Sequence, residues 1–201
     1  PADAKGLATR ESNSKILNPI ADKIPWFMGG SADLGPSTKT YIKEASSFNR
    51  EDYGGRNFHF GVREHAMGAI INGMTLSKLR PYGATFFVFS DYVRPAIRLS
   101  SLMKQPVIYI FTHDSIGVGE DGPTHQPVEH LASLRAMPGL DVIRPSDANE
   151  LSVMWKYIMG LKDRPVALVL SRQGMPTLDR SKYAPADGAL KGAYVLIESD
   201  G

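Results

Sequence analysis

Pro106-Val107-Ile108-Tyr109-Ile110-Phe111-Thr112 sets five apolar residues in a row between a proline and a threonine. Such a run keeps no polar face for water, so it belongs inside a parallel sheet that is covered on both sides. Outward from it, the same punctuation recurs. Downstream lies a polar, Gly-rich loop, His113 to Gln126. Pro127 then suits the first turn of a helix running to about Ala136. Asp141 to Ile143 reads as a short strand. Pro145-Ser146-Asp147 opens a helix that ends near Leu161, with Ser146 or Asp147 as its cap. Pro165 to Leu170 is a further apolar strand, Pro176 to Lys191 a polar connector, and Ala193 to Ile197 the start of something new.

Upstream, Ser90 to Met103 is expected to be helical, with Val93, Ile97 and Met103 among its apolar positions. Pro81 to Phe87 reads as a strand, about Val62 to Ser77 as a helix, and Asn57 to Phe60 as a short strand. Ser31 to Tyr53 is polar and loop-like. Pro25 to Gly30 is a short buried strand, and Ala8 to Ile24 a helix in which Pro19 marks a kink or a boundary. Strand and helix alternate about six times. The expected fold is α/β, a mostly parallel sheet with helices on both faces. Residues 1–175 are expected to form one domain, and residues 176–201 a connector and the start of a following C-terminal domain.

Composition narrows the function. The chain has 201 residues and a net charge of +2, too small an excess to point to nucleic acid. No run of eighteen apolar residues suggests a membrane span. The opening residues have no apolar core of the signal-peptide kind. Zero cysteines leave no disulfide, thiolate nucleophile or cysteine metal site, and the cytoplasm is the default location. Pro1 in place of Met and an end just after a strand-like run give the expectation of a piece cut from a longer chain.

In sheets of this kind, ligands sit beyond the carboxyl ends of the strands. The loops that follow strands are therefore the ones to read for chemistry. Thr112 to Gln126 carries His113, Asp114, Asp121 and His125 among several glycines. It can serve acid–base chemistry and hydroxyl recognition on a polar substrate. A metal site of His113, Asp114, Asp121 and His125 is the rival, although no H-x-x-x-H or H-x-H spacing occurs. A solvated turn is the plain alternative. Phe86, Phe89 and Tyr92 offer a stacking wall for a flat heteroaromatic ring, or simply core. Arg10, Arg63, Arg94, Arg98 and Arg172 are candidate anion binders. Arg172 stands out because it directly follows an apolar strand, where its fork suits a phosphate. Glu64 falls in the first turn of a helix, a place that a carboxylate often takes merely to complement the helix dipole.

Gly61-Val62-Arg63-Glu64-His65-Ala66-Met67 and the whole run Thr112 to Pro127 resemble the transketolases, enzymes dependent on thiamine diphosphate. So do Gly29-Gly30-Ser31-Ala32-Asp33-Leu34, Thr85-Phe86 and Ser171-Arg172-Gln173. The resemblance implies the pyrimidine-binding domain of a soluble, homodimeric transferase of the pentose phosphate pathway and Calvin cycle. By that resemblance, Glu64 contacts N1′ of the aminopyrimidine, where a protonated carboxyl promotes the imino tautomer that takes the C2 proton. Phe86, Phe89 and Tyr92 surround the ring, with Val62 and Asp33 near the cofactor. His113 and His125 handle substrate hydroxyls and the carbonyl oxygen, and Asp121 reads the C2 hydroxyl. Arg10, Ser37 and Arg172 hold the phosphate end of the sugar phosphate. The family binds the diphosphate and Mg²⁺ or Ca²⁺ through a Gly-Asp-Gly motif and a later Asn of a separate N-terminal domain. No such motif occurs in this sequence, so half a site and no turnover are expected of this stretch alone. Dihydroxyacetone synthase, another thiamine-diphosphate enzyme subunit, and a non-catalytic dimerising half-site module are the alternatives.

Overall fold

A computed structural model describes residues 2–199. Six strands form one wholly parallel sheet: β2 (Phe27–Ser31), β3 (Asn57–His59), β4 (Arg80–Phe86), β5 (Ile108–Thr112), β6 (Asp141–Ile143) and β7 (Val166–Val169). Their order across the sheet is β3-β2-β4-β5-β7-β6. The stretch around Tyr109 is thus interior, and every residue of β5 is buried. The chain steps outward from β2 to β3 and then returns to the other side of β2 with β4. That reversal opens a crevice at the carboxyl ends of β2 and β4.

Both faces of the sheet are covered. On one, α1 (Thr9–Lys23) and α6 (Ala148–Gly160) bury Leu17, Ala21, Trp155 and Ile158 against Phe27, Tyr82, Ile108 and Ile110. On the other, α3 (Glu64–Leu76), α4 (Ser90–Leu102) and α5 (His130–Arg135) bury Met67, Ile71, Val93, Ile97 and Leu134 against Tyr109 and Phe111. Gly68 lets α3 and α4 approach, since a Cβ there would meet Ala96 and Val93 at 2.6 Å. α6 begins at a built cap. Asp147 accepts from the Glu150 N–H at 2.9 Å, and the Glu150 carboxylate accepts from the Ser146 N–H at 2.8 Å.

Several expectations need correction. Pro127 does not sit in the first turn of a helix. It is buried in a segment without regular structure, and α5 begins at His130, whose ring bonds Asp91 of α4 at 3.1 Å. Residues 193–197 form no strand. Tyr194 ties this stretch to α6, where its hydroxyl donates to Glu150 at 2.6 Å. Pro19 neither ends nor divides α1. A strand absent from the reading of the sequence, β1 (Asp3–Ala8), pairs antiparallel with β8 (Gly174–Thr177) as a ribbon beside the sheet. A short helix, α2 (Gly35–Thr38), interrupts the polar loop after β2. The division at residues 175 and 176 falls inside β8. No helix among the described residues is long and apolar enough to cross a membrane.

Candidate functional site

All the parallel strands end on one edge, and the residues beyond them build a polar cavity of about 220 Å³. Arg10 comes from the first turn of α1, and Ser37 and Lys39 from α2 and the residue beyond it. Phe86 ends β4, His113 follows β5, Glu120 and Asp121 lie on the turn beyond, and Arg172 follows β7. Arg10 is fixed from below. The Thr9 N–H donates to Ser171 Oγ at 3.0 Å, and the Ser171 N–H donates to Thr9 Oγ1 at 2.7 Å. These bonds clamp the start of α1 to the end of β7. The Arg10 guanidinium donates from Nη1 to the Ser37 carbonyl at 2.8 Å, while its buried Nε has no partner. Burial, and then the neighbouring Arg172, lower its pKa. Two guanidinium groups held together in a cavity form a site for an anion.

His113 is 2% exposed and adopts a left-handed backbone conformation, φ 59°. That conformation turns the ring back over the end of β4, where it stacks on Phe86 with centroids 3.6 Å apart. Burial first, and then the charge of Arg10, push its pKa down to about 4. Asp121 opposes this from 3.8 Å, too far for a hydrogen bond. The ring is therefore neutral at neutral pH, and its 3.8 Å contact with Asp121 is not an ion pair. Its imidazole should not titrate between pH 7 and 5. Because the folded state disfavours the proton, His113 adds stability above its unfolded pKa of about 6.5 and loses it as pH falls towards 4. Imidazole NMR across that window checks this, and a midpoint near 6.5 would refute it.

Phe86 stacks parallel on Phe89 at 6.1 Å, and Tyr92 tilts against Phe89 at the same separation. His125 stands edge-on to Phe89 at 5.4 Å and to Phe86 at 6.2 Å. The aromatic wall and both histidines are thus one unit.

Glu64 is the first residue of α3 and is 8% exposed. Its carboxylate accepts no hydrogen bond and forms no ion pair among the described residues. α3 and α4 follow parallel strands and pack side by side, so their N-termini share the carboxyl-end edge of the sheet. Glu64 and the wall of Phe89 and Tyr92 therefore lie on the same edge. An apolar ring wall and a mostly buried glutamate with no protein partner, on the same edge of the sheet, fit an aminopyrimidine. Such a wall suits a flat ring face, and a carboxyl suits a ring nitrogen.

Six expected residues lie outside the cavity lining, among them Phe89, Tyr92 and His125. Glu64 is another. Val62 is exposed, and Asp33 is exposed in a left-handed conformation, φ 63°. The proposed metal set also separates, because Asp114 turns away to Arg144, whose Nη2 lies 2.8 Å from its carboxylate. Lys39 and Glu120 line the cavity and were not singled out from the sequence. Glu120 accepts from Arg172 Nη2 with both carboxylate oxygens at 3.0 Å. Its position beside Asp121 in the Gly-rich loop was the available signal.

Comparison with known proteins gives a consistent picture. Residues 5–177 match the family described as "Transketolase, pyrimidine binding domain". The transketolase of Halalkalibacterium halodurans is 61% identical over 98% of this chain and 30% of its own length. That of Bacillus subtilis is 59% identical over 99% and 30%. Among solved structures, a Pichia stipitis transketolase complexed with sedoheptulose 7-phosphate covers the whole chain at 42% identity, with a TM-score of 0.92. This chain covers 31% of it. A protein described as a split gene transketolase, inactive β4 tetramer, aligns at 29% identity over 87% of this chain, with a TM-score of 0.69. The chain spans about 30% of the length of the curated relatives it matches. With the parallel sheet, the edge cavity and the aromatic wall in place, the chain belongs to the pyrimidine-binding domains of transketolase.

Proposed function

We propose that this domain supplies the pyrimidine half of an active site that moves a two-carbon ketol unit from a ketose phosphate to an aldose phosphate. The single observation that carries this reading is the polar cavity in which Arg10 and Arg172 converge beside His113 and Phe86. A sugar phosphate offers the matching chemistry, an anion at one end and hydroxyls along its length. Arg10, Ser37 and Arg172 bind the phosphate. Asp121 and His125 hydrogen-bond hydroxyls. His113, kept neutral, can donate to or accept from an oxygen without adding charge.

Bound thiamine diphosphate supplies a carbon nucleophile for the ketose carbonyl. Phe86, Phe89 and Tyr92 hold the pyrimidine face, with Val62 and Asp33 close by, and Glu64 holds a proton at N1′. The wall and the two histidines exclude water from that side. The diphosphate and its Mg²⁺ or Ca²⁺ are assigned to a separate N-terminal domain, and no metal is assigned to this chain. The other half of the site comes from a second copy of the protein. Exposed apolar side chains on α3 and α4 support this: Ile70, Leu76, Tyr92, Leu99 and Leu102 are all open to solvent. Residues 176–201 are proposed to lead into a further C-terminal domain, and the protein to be cytoplasmic.

A polypeptide of these 201 residues alone should show no ketol transfer. Activity should appear when it is combined with a diphosphate-binding domain, thiamine diphosphate and Mg²⁺. Folded protein that stays inactive in every such mixture would refute the reading. It would favour a dimerising half-site module, for which the inactive split-gene tetramer among the structural relatives is the precedent.

A further inference from the structure

The geometry points to Glu120 as a specificity-determining residue that competes with the substrate's phosphate for Arg172. This inference rests on the ketol-transfer reading above. Both oxygens of Glu120 accept from Arg172 Nη2 at 3.0 Å, so the carboxylate lies where a phosphate would engage the same donor. It is an internal anion in an anion site. Its side chain is 80% exposed, and it sits on a turn between Gly119 and Gly122, both at positive φ. Apart from Arg172, the one hydrogen bond to that carboxylate among the described residues comes from its own backbone, which moves with the turn, so the side chain can swing out as a phosphate arrives. The guanidinium also lies against Gly119, where a Cβ would meet Nη1 at 3.0 Å. The turn thus carries both the competing anion and the surface on which Arg172 rests.

The charges lining the cavity give the direction of the effect. Arg10, Lys39 and Arg172 are positive, Glu120 and Asp121 are negative, and His113 is neutral. With Glu120 inward the lining carries a net +1. With Glu120 swung away it carries +2, the match for a phosphate dianion. A neutral sugar end gains nothing from that exchange and leaves the Glu120–Arg172 pair intact. Glu120 therefore lowers affinity for free phosphate and sets how far the site prefers phosphorylated over unphosphorylated acceptors.

The test uses the full-length holoenzyme with Glu120→Gln and, separately, Glu120→Ala. Steady-state kinetics with an aldose phosphate and the same aldose unphosphorylated give the ratio of the two kcat/KM values. Inorganic phosphate serves as the inhibitor probe. The exposed pair is a weak one, so both variants should raise the ratio about two- to fivefold. The Ki of inorganic phosphate should fall by a similar factor, which a merely structural role would not produce. An unchanged or lowered ratio, or an unchanged phosphate Ki, overturns the proposal. Arg172→Ala separates the two failures. If it leaves the KM for the aldose phosphate unchanged, the phosphate assignment itself fails, and the role of Glu120 falls with it.

Discussion

Replacing Glu64 with Gln in the full-length protein is expected to slow C2 proton exchange of bound thiamine diphosphate by about 10²- to 10⁴-fold, the usual contribution of a positioned acid–base group. Stability should not fall with it. Glu64 is 8% exposed and makes no hydrogen bond or ion pair among the described residues. Its charge has no partner in the protein, so the fold does not depend on it. An amide of the same shape should leave stability unchanged. The alternative role, a charge that complements the start of α3, makes the opposite prediction. Gln would then lower stability by about 0.3–1 kcal/mol and leave exchange intact. Exchange measured by NMR and unfolding measured in urea separate the two. Unchanged exchange in a folded variant would remove Glu64 from the chemistry.

That contest existed in the sequence and could not be decided there. A glutamate in a first turn looks the same whether it faces solvent or a ligand. The structure adds its burial and its lack of a partner. Other features were legible for a clear reason. β5 and β7 are buried on both faces, so their residues had to be apolar without interruption. Arg172, His113 and Phe86 could be found because each lies at or shortly beyond the end of a strand, and parallel strands deliver their ends to one edge. β1 and β8 were not legible. Their ribbon stands beside the sheet, and Asp3 to Lys5 remain exposed, so no apolar pattern marks them. The pairing of Glu120 with Arg172 joins residues 52 positions apart in an exposed contact, which leaves no trace in periodicity.

Trp155→Ala should be among the most destabilising single changes on the α1 and α6 face of the sheet. Trp155 is fully buried and meets Phe27 edge-on at 6.1 Å. Removing a buried tryptophan ring typically costs about 3–5 kcal/mol through lost transfer energy and the cavity left behind. Here a polar term adds to it. The indole Nε1–H donates to Asn13 Oδ1 at 2.8 Å, and Asn13 is itself buried with its Nδ2 unpartnered. Truncation leaves both ends of that amide unsatisfied, a further penalty of about 1–3 kcal/mol. The sum is comparable with the whole stability of a typical domain, about 5–15 kcal/mol. Trp155→Phe keeps most of the packing and loses the donor, so it should fall between the two proteins. Urea unfolding of all three checks the order, and a Phe variant as unstable as Ala would show that the hydrogen bond outweighs the packing. The contact also reaches the site. Asn13 lies one turn beyond Arg10 on α1, and Trp155 is the anchor that holds this helix against α6. A Phe variant that still folds should therefore bind inorganic phosphate more weakly, because Arg10 is carried on the helix that has been loosened. Unaltered phosphate binding would mean that the Thr9–Ser171 clamp positions Arg10 by itself.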